Sequence, residues 1–272
     1  MSIRFKRLIT QFGFLIGANL GALRIKTGFC YPFFYCHGCP YSLAGCPLGT
    51  IEHGVYKGKI VFQLILFPIL IIAAVSLIFG RAACGWACPI GLLQRGTAKL
   101  AKKIKNTKIA KKLGENKIDS YLRYSKYVIL ITLGVITTAT IGFMFTDICP
   151  VGFLTGTIPI LATNPSGYQP SSFFNVALVI FLLFLLLIFT IGRGWCRYFC
   201  PVGSMIAPFN KVSLVEVKVN QDLCIHCNAC TKVCPMGINV PEMSRSTECI
   251  LCGKCIEVCP KNAISYKIGG KQ

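Results

Sequence analysis

The chain is 272 residues long, 54% hydrophobic and only 14% charged, with a formal net charge of +20. Soluble domains carry nearer ~25% charged residues, so an ordinary cytosolic enzyme and a disordered chain are both excluded. The apolar runs direct the positive charge to a membrane rather than to nucleic acid. Seventeen cysteines do not fit a small, core-poor disulfide scaffold, and they read as metal ligands first.

Four charge-free runs are predicted as spanning helices, each near the ~20 residues a span needs. They are 8–23 (extended toward Phe29), 60–80, 127–146 and 173–192. The first contains Gly13, Gly17 and Gly21. With no A-x-A cleavage site after it, it reads as an uncleaved helix rather than a signal peptide. Arg4, Lys6 and Arg7 precede it, the loop 81–126 holds twelve Lys and Arg, and 147–172 holds none. Loop charge therefore predicts a multi-pass protein of the inner membrane. Both termini and the basic loop face the cytoplasm, and 30–59 and 147–172 face outward. Residues 99–112 read as a basic, partly amphipathic helix, solvated or against anionic lipid headgroups.

The chain repeats itself at an offset of 112. Gly80-Arg81 leads to Cys84 and Cys88-Pro89-Ile90-Gly91, and Gly192-Arg193 leads to Cys196 and Cys200-Pro201-Val202-Gly203. A second echo joins Cys46-Pro47-Leu48-Gly49 to Cys149-Pro150-Val151-Gly152. Two spans per half make two parallel repeats over residues 1–212. Half of the fourteen prolines directly follow a cysteine. Proline disfavours helix in the residue before it and starts a helix well, so each cysteine sits at a helix amino end, where a thiolate is favoured. Cys84, Cys88, Cys196 and Cys200 are the candidate ligands of one cluster. Cys36, Cys39, Cys46 and Cys149 are candidates for another, with disulfides such as Cys36–Cys39 or Cys46–Cys149 as the alternative. Cys30 is left over. Arg81 and Arg193 read as interfacial cations or as charge compensation for a cluster. Trp86 and Trp195 read as interfacial anchors or as packing for a cluster or quinone. His37 and His53 are weaker candidates for a quinone or partner contact.

Charged residues return after Val212. Residues 213–272 carry two complete C-x2-C-x2-C-x3-C-P runs, Cys224, Cys227, Cys230, Cys234-Pro235 and Cys249, Cys252, Cys255, Cys259-Pro260. In this bacterial ferredoxin run the fourth cysteine serves the other cluster. Cluster one is thus expected at Cys224, Cys227, Cys230 and Cys259, and cluster two at Cys249, Cys252, Cys255 and Cys234. A strand at 215–219 is predicted to pair with one at 263–268. The fold class is a mainly α integral membrane protein of four transmembrane helices, followed by a small α+β two-cluster ferredoxin domain.

Two C-x3-C-P motifs followed by this tail resemble the NapH family, the membrane-bound ferredoxins of the periplasmic nitrate reductase system. They are similar too to the carboxy-terminal half of NosR-type proteins. Lys6-Arg7-Leu8, Tyr121-Leu122-Arg123-Tyr124 and Gly194-Trp195-Cys196 belong to the same resemblance, which covers nearly the whole chain. It implies a quinol-oxidising electron-transfer subunit of a respiratory complex, with the C-x3-C-P cysteines and the eight tail cysteines as iron–sulfur ligands. Cys30, Cys36, Cys39, Cys46 and Cys149 look additional to the family pattern and point away from nitrate reductase as the partner.

Two other classes compete. Oxidase-assembly relatives share C-x3-C-P motifs and reduce or deliver a metal. A transporter is suggested by the repeat, but the predicted spans carry no ionisable residue to couple an ion. No Gly-rich nucleotide loop or nucleophile–base pair indicates NAD or ATP chemistry. The cofactors expected are two 4Fe–4S clusters in the tail, one or two more in the amino-terminal part, and a quinone. The partners expected are a membrane and redox proteins, with no nucleic acid.

Overall fold

The computed structural model describes residues 2–23, 29–36, 41–104, 117–163, 172–243 and 245–269. His37, Cys39 and the 105–112 part of the basic segment lie outside these residues. Helix α1 spans Ile3–Ala18, with the Ser2 hydroxyl accepting from the Phe5 amide at 3.4 Å, an N-cap. Helix α2 is Pro47–Gly54, and α3 is Phe62–Phe79. Gly80 stops α3 with φ 54°, a conformation that favours glycine. Helices α4 (Ala82–Trp86), α5 (Pro89–Ile104) and α6 (Lys117–Leu122) follow. Helix α7 (Ser125–Thr140) and helix α8 (Pro150–Thr163) each contain a π-helical turn, at Thr132–Ile136 and Phe153–Thr157. Helix α9 is Phe174–Thr190. A third π-turn, Trp195–Phe199, leads into α10, Pro201–Ile206.

The two copies of the repeat interlock. Helix α5 packs on α1 and α9, and α10 packs on α7 and α3. The helix after each C-x3-C-P motif therefore lies against the long apolar helix of the other copy. The core buries Phe181, Phe184, Ile188, Trp195, Val202 and Ile206 together with Cys84, Cys88 and Cys200. Beyond it come β1 (Val215–Val219), α11 (Ala229–Val233), α12 (Lys254–Val258) and β2 (Ile264–Ile268). The strands pair antiparallel, Val215 opposite Ile268 and Val219 opposite Ile264. Val217, Val219, Leu251 and Ile264 form a second, smaller core.

The four expected spanning helices are not found among the described residues. Among the described residues one helix, α3, is long and apolar enough to cross a membrane, with mean hydropathy 2.7 over 18 residues and 17% of them buried. The predicted multi-pass inner-membrane topology with both termini cytoplasmic is corrected with it. The reason is local. The run 8–23 breaks at Asn19 into a 3-10 turn, Leu20–Leu23. The run 127–146 loses its end to Gly142, φ 77°, and to a 3-10 turn at Phe145–Ile148. Helix α9 has 17 residues, about 25 Å at 1.5 Å per residue, against a hydrocarbon core of ~30 Å. The sheet, too, is only two five-residue strands, so the tail is a cysteine loop structure with a small sheet rather than a developed α+β layer.

Candidate metal centres

Each tail run is a loop that enters one short helix. His226 and Asn228 have φ of 50° and 55°, and Leu251 and Gly253, at the same places in the second run, have 48° and 71°. Alternating handedness turns successive N–H groups to one side, the concavity that many iron–sulfur sites use. Cys224, Cys227, Cys230 and Cys259 line one cavity, and Cys234, Cys249, Cys252 and Cys255 line another. Each cavity takes three thiols from one run and the fourth from the other. In the second, burial first and then the neighbouring Cys252 push the Cys249 and Cys255 thiols up to about 12. Metal binding relieves that cost by displacing the protons. Among the described residues no three His, Cys, Asp or Glu side chains gather as ligands of a single ion. A cube spreads its four thiolates over four irons, so the donor set fits 4Fe–4S rather than a lone zinc.

Cys84, Cys88, Cys196 and Cys200 are all buried and lie within electrostatic reach of one another. The repeat explains how they are held. Arg81 Nη2 donates to the Cys196 carbonyl at 3.1 Å, and Arg193 Nη1 donates to the Cys84 carbonyl at 3.0 Å. These two bonds are images of each other at the 112-residue offset, so each copy's arginine clasps the other copy's cysteine. Gly91 and Gly203 leave room for the guanidinium groups, since a Cβ there meets Arg193 Nη2 at 3.2 Å and Arg81 Nη2 at 3.0 Å. Gly203 also donates its amide to Cys200 Sγ at 3.3 Å, as Gly152 does to Cys149 Sγ at 3.5 Å. That bond is what Cys-Pro-x-Gly supplies: a sulfur N-cap beside a free N–H. Gln94 Nε2 lies 3.1 Å from Cys196 Sγ. Burial, followed by Cys196 and Cys84, raises the Cys88 thiol to about 12.

The tail is fastened to this site at three places. Gly85 accepts from Arg7 Nη2 at 3.1 Å and Gln11 Nε2 at 3.0 Å, and a Cβ on Gly85 would stand 2.2 Å from the Ile250 carbonyl oxygen. Beside it Trp86 Nε1 donates to the Leu251 carbonyl at 2.8 Å. Glu248, one residue before Cys249, pairs with Arg81 Nη1 at 3.1 Å and with Lys126 Nζ. Asn210 accepts from the Arg81 amide at 2.6 Å and donates to the Cys249 carbonyl at 2.6 Å. On the third side Asp119 binds Arg197, Arg123 and the Tyr198 hydroxyl, and Arg123 Nη2 reaches the Gly237 carbonyl at 2.9 Å. Trp195 is buried between Phe34 and Phe199, with centroids at 6.4 and 6.0 Å. Sequence reasoning missed Arg7, Asn210, Lys126, Asp119 and Glu248. For Asp119 and Glu248 the one signal is scarcity: the chain has nine acidic residues, and a buried carboxylate must find a partner.

Cys36, Cys46 and Cys149 also converge. Cys149 lies within electrostatic reach of both others, and Cys36 Sγ is 3.4 Å from the Cβ position of Gly152. Cys46 and Cys149 are free thiols. Cys30 stands apart, its sulfur 3.5 Å from Thr50 Oγ1. Glu52, on the helix that Cys46 caps, is fully buried. It accepts from the Phe145 amide at 3.1 Å, the Thr146 amide at 3.3 Å and Thr146 Oγ1 at 2.6 Å. Burial outweighs these bonds and raises its carboxyl from 4.5 to about 7. A raised folded value means the folded state binds the extra proton, so this contribution is full below pH 4.5 and is lost as pH rises through 7. Glu52→Gln is expected to flatten that part of the stability profile. Denaturant midpoints from pH 4.5 to 7.5 check it, and an unchanged slope in the variant contradicts it.

Two thiol-lined cavities built from paired C-x2-C-x2-C-x3-C-P runs define a ferredoxin-type protein. The family described as "4Fe-4S binding domain" matches residues 61–108 and again 174–220, one match for each copy of the C-x3-C-P repeat. The family described as "4Fe-4S dicluster domain" matches 216–260. An uncharacterized protein of Methanocaldococcus jannaschii is 34% identical over 231 residues, 85% of this chain and 90% of its own length. The methylamine utilization ferredoxin-type protein MauN of Paracoccus denitrificans is 30% identical, over 58% of this chain and 50% of its own. The ferredoxin-type protein NapH of Haemophilus influenzae is 30% identical, over 61% and 53%. The chain spans about half the length of these two named relatives. No solved structure matches. The chain belongs to the family of ferredoxin-type electron-transfer proteins that includes NapH-, NosR-, MauN- and YccM-like chains. It carries iron–sulfur clusters in its carboxy-terminal region.

Proposed function

We propose that this chain is a one-electron wire between a quinone or redox partner and its ferredoxin-type clusters, divided into residues 1–212 and 213–272. In this reading Cys224, Cys227, Cys230 and Cys259 hold one 4Fe–4S cluster, and Cys249, Cys252, Cys255 and Cys234 hold a second. Cys84, Cys88, Cys196 and Cys200 hold a third, and Cys36, Cys39, Cys46 and Cys149 a fourth. The observation that carries the third is charge. Arg81, Arg193 and Lys126 are buried around the four thiols, with exposures of 0%, 3% and 0%, and among the described residues Glu248 is the one carboxylate paired with any of them. Buried charge is stable only when compensated, and four thiolates with an iron–sulfur core supply that anion. Clusters bring reversible one-electron chemistry when bound. The protein orients the thiols, excludes water and balances their charge.

Arg81 and Arg193 act in this reading as charge compensation, Trp86 fixes the loop of the second cluster, and Trp195 walls the third. A groove of about 660 Å³ lined by Phe29, Cys30, Thr50, Gln63 and Phe67 is of the size and apolar character that suit a quinone ring. Exposed apolar side chains on α3 and α9, Phe62, Phe67, Leu70, Val179, Leu182 and Leu186 among them, form a surface suited to a lipid bilayer partner. Iron and acid-labile sulfide on the anaerobically purified chain, with EPR, test the reading. About sixteen iron atoms per chain are expected. About twelve would remove the fourth cluster, and about eight the third as well.

A further inference from the structure

The two tail cavities have unequal surroundings. The cavity of Cys224, Cys227, Cys230 and Cys259 lies at the surface: Cys227, Leu223 and Ile225 are exposed, and the cation that lines it, Lys261, is exposed too. Water screens such a charge. The cavity of Cys234, Cys249, Cys252 and Cys255 faces inward, against Gly85 and Trp86. There Arg7, Arg95 and Lys254 each lie within electrostatic reach of both Arg193 and Cys252. Arg7 and Arg193 are 2% and 3% exposed and spend their donors on the carbonyls of Gly85, Cys84 and Gly91. Both terminal nitrogens of Arg95 are buried without a hydrogen-bond partner. Among the described residues none of these four cations forms an ion pair with a carboxylate.

Four cations of one sign do not gather in a protein interior unless an anion lies among them. Their field in low dielectric favours whichever state of a neighbouring group carries the extra negative charge. For an iron–sulfur centre that is the reduced state, and local charge and hydrogen bonding set its potential. We propose that Arg7, Arg95, Arg193 and Lys254 form a cation ring that makes the inward-facing set, Cys234, Cys249, Cys252 and Cys255, the stronger electron acceptor of the two tail sites. An electron delivered at the exposed set by a one-electron carrier is then drawn inward, toward Cys84, Cys88, Cys196 and Cys200. This rests on the cluster assignment above and adds an order and a direction to it.

EPR-monitored redox titration of the whole iron-loaded chain tests it without any activity readout. Two tail signals with separate midpoints are expected. Arg95→Gln removes one ring charge at a side chain whose terminal nitrogens make no bond, so the fold should stand. The midpoint of the first-reduced signal should fall by about tenfold in its equilibrium constant, which is ~59 mV for one electron, and the second should stay. Lys261→Gln should leave the first-reduced signal where it was. Equal midpoints in the native chain, or an Arg95→Gln variant that moves neither signal or both alike, would overturn the ring. Iron below about eight per chain would instead overturn the cluster assignment.

Discussion

Glu248→Ala is expected to cost about 3–5 kcal/mol, because it removes the one carboxylate paired with two buried cations. Arg81 and Lys126 are both fully buried and share this one carboxylate. Glu248 itself is held below the usual carboxylate range, since the two cations more than offset its burial. Burial and then Arg81 already lower the Lys126 ammonium to about 8, with Glu248 pulling the other way. Without Glu248 the lysine sheds its proton near neutrality, so the variant should be least unstable at alkaline pH. Adding Lys126→Met should recover part of the loss, since an apolar side chain carries no desolvation cost. Anaerobic denaturant unfolding of the iron-loaded protein checks this. A loss below about 1 kcal/mol would place the pair among screened surface contacts.

Gly85→Ala should separate the tail from the C-x3-C-P site. The new Cβ would stand 2.2 Å from the Ile250 carbonyl oxygen and 3.7 Å from the Cys252 Cα, and backbone cannot swing aside as a side chain does. Helix α4 and the Ile250–Cys252 loop must move apart, which breaks the Trp86–Leu251 bond and disturbs the Cys234, Cys249, Cys252 and Cys255 set. The expected result is a changed tryptophan emission and a loss of about four iron atoms. Gly96→Ala is the control, since nothing lies within 4 Å of its Cβ position. It should stabilise by about 0.5–1 kcal/mol, as a helical glycine replaced by alanine does. Unchanged emission and iron in Gly85→Ala would mean that the tail is not seated there.

Iron–sulfur chemistry in the carboxy-terminal region was legible because its signal is local. Two residues between cysteines leave little choice of geometry. Among the described residues Pro47, Pro89, Pro150 and Pro201 each start a helix after their cysteine, whereas Cys234 and Cys259 close one. What holds the parts together was not legible. Arg7 meets Gly85, Arg81 meets Glu248 and Arg123 meets Gly237, contacts far apart in the chain that no spacing encodes. The run 60–80 does form a helix of spanning length, and the other three fell short for a different reason. A charge-free run counts turn residues as helix, so Leu20–Leu23, Gly142 and the first two residues of the Phe145–Ile148 turn fall within the expected spans, and helix Phe174–Thr190 is short of a span at 17 residues. His37 and Cys39 fall outside the described residues, so the Cys36, Cys46 and Cys149 set rests on three thiols.

The central claim is that the repeated C-x3-C-P motifs hold a cluster of their own beside the tail. Iron and sulfide analysis of the chain carrying Cys84→Ser, Cys88→Ser, Cys196→Ser and Cys200→Ser together, compared with the native chain, tests it most directly. The variant is predicted to lose about four iron and four sulfide per chain and to keep both tail EPR signals. Equal iron in the two proteins would contradict it, and the buried cations Arg81 and Arg193 would then need another anion.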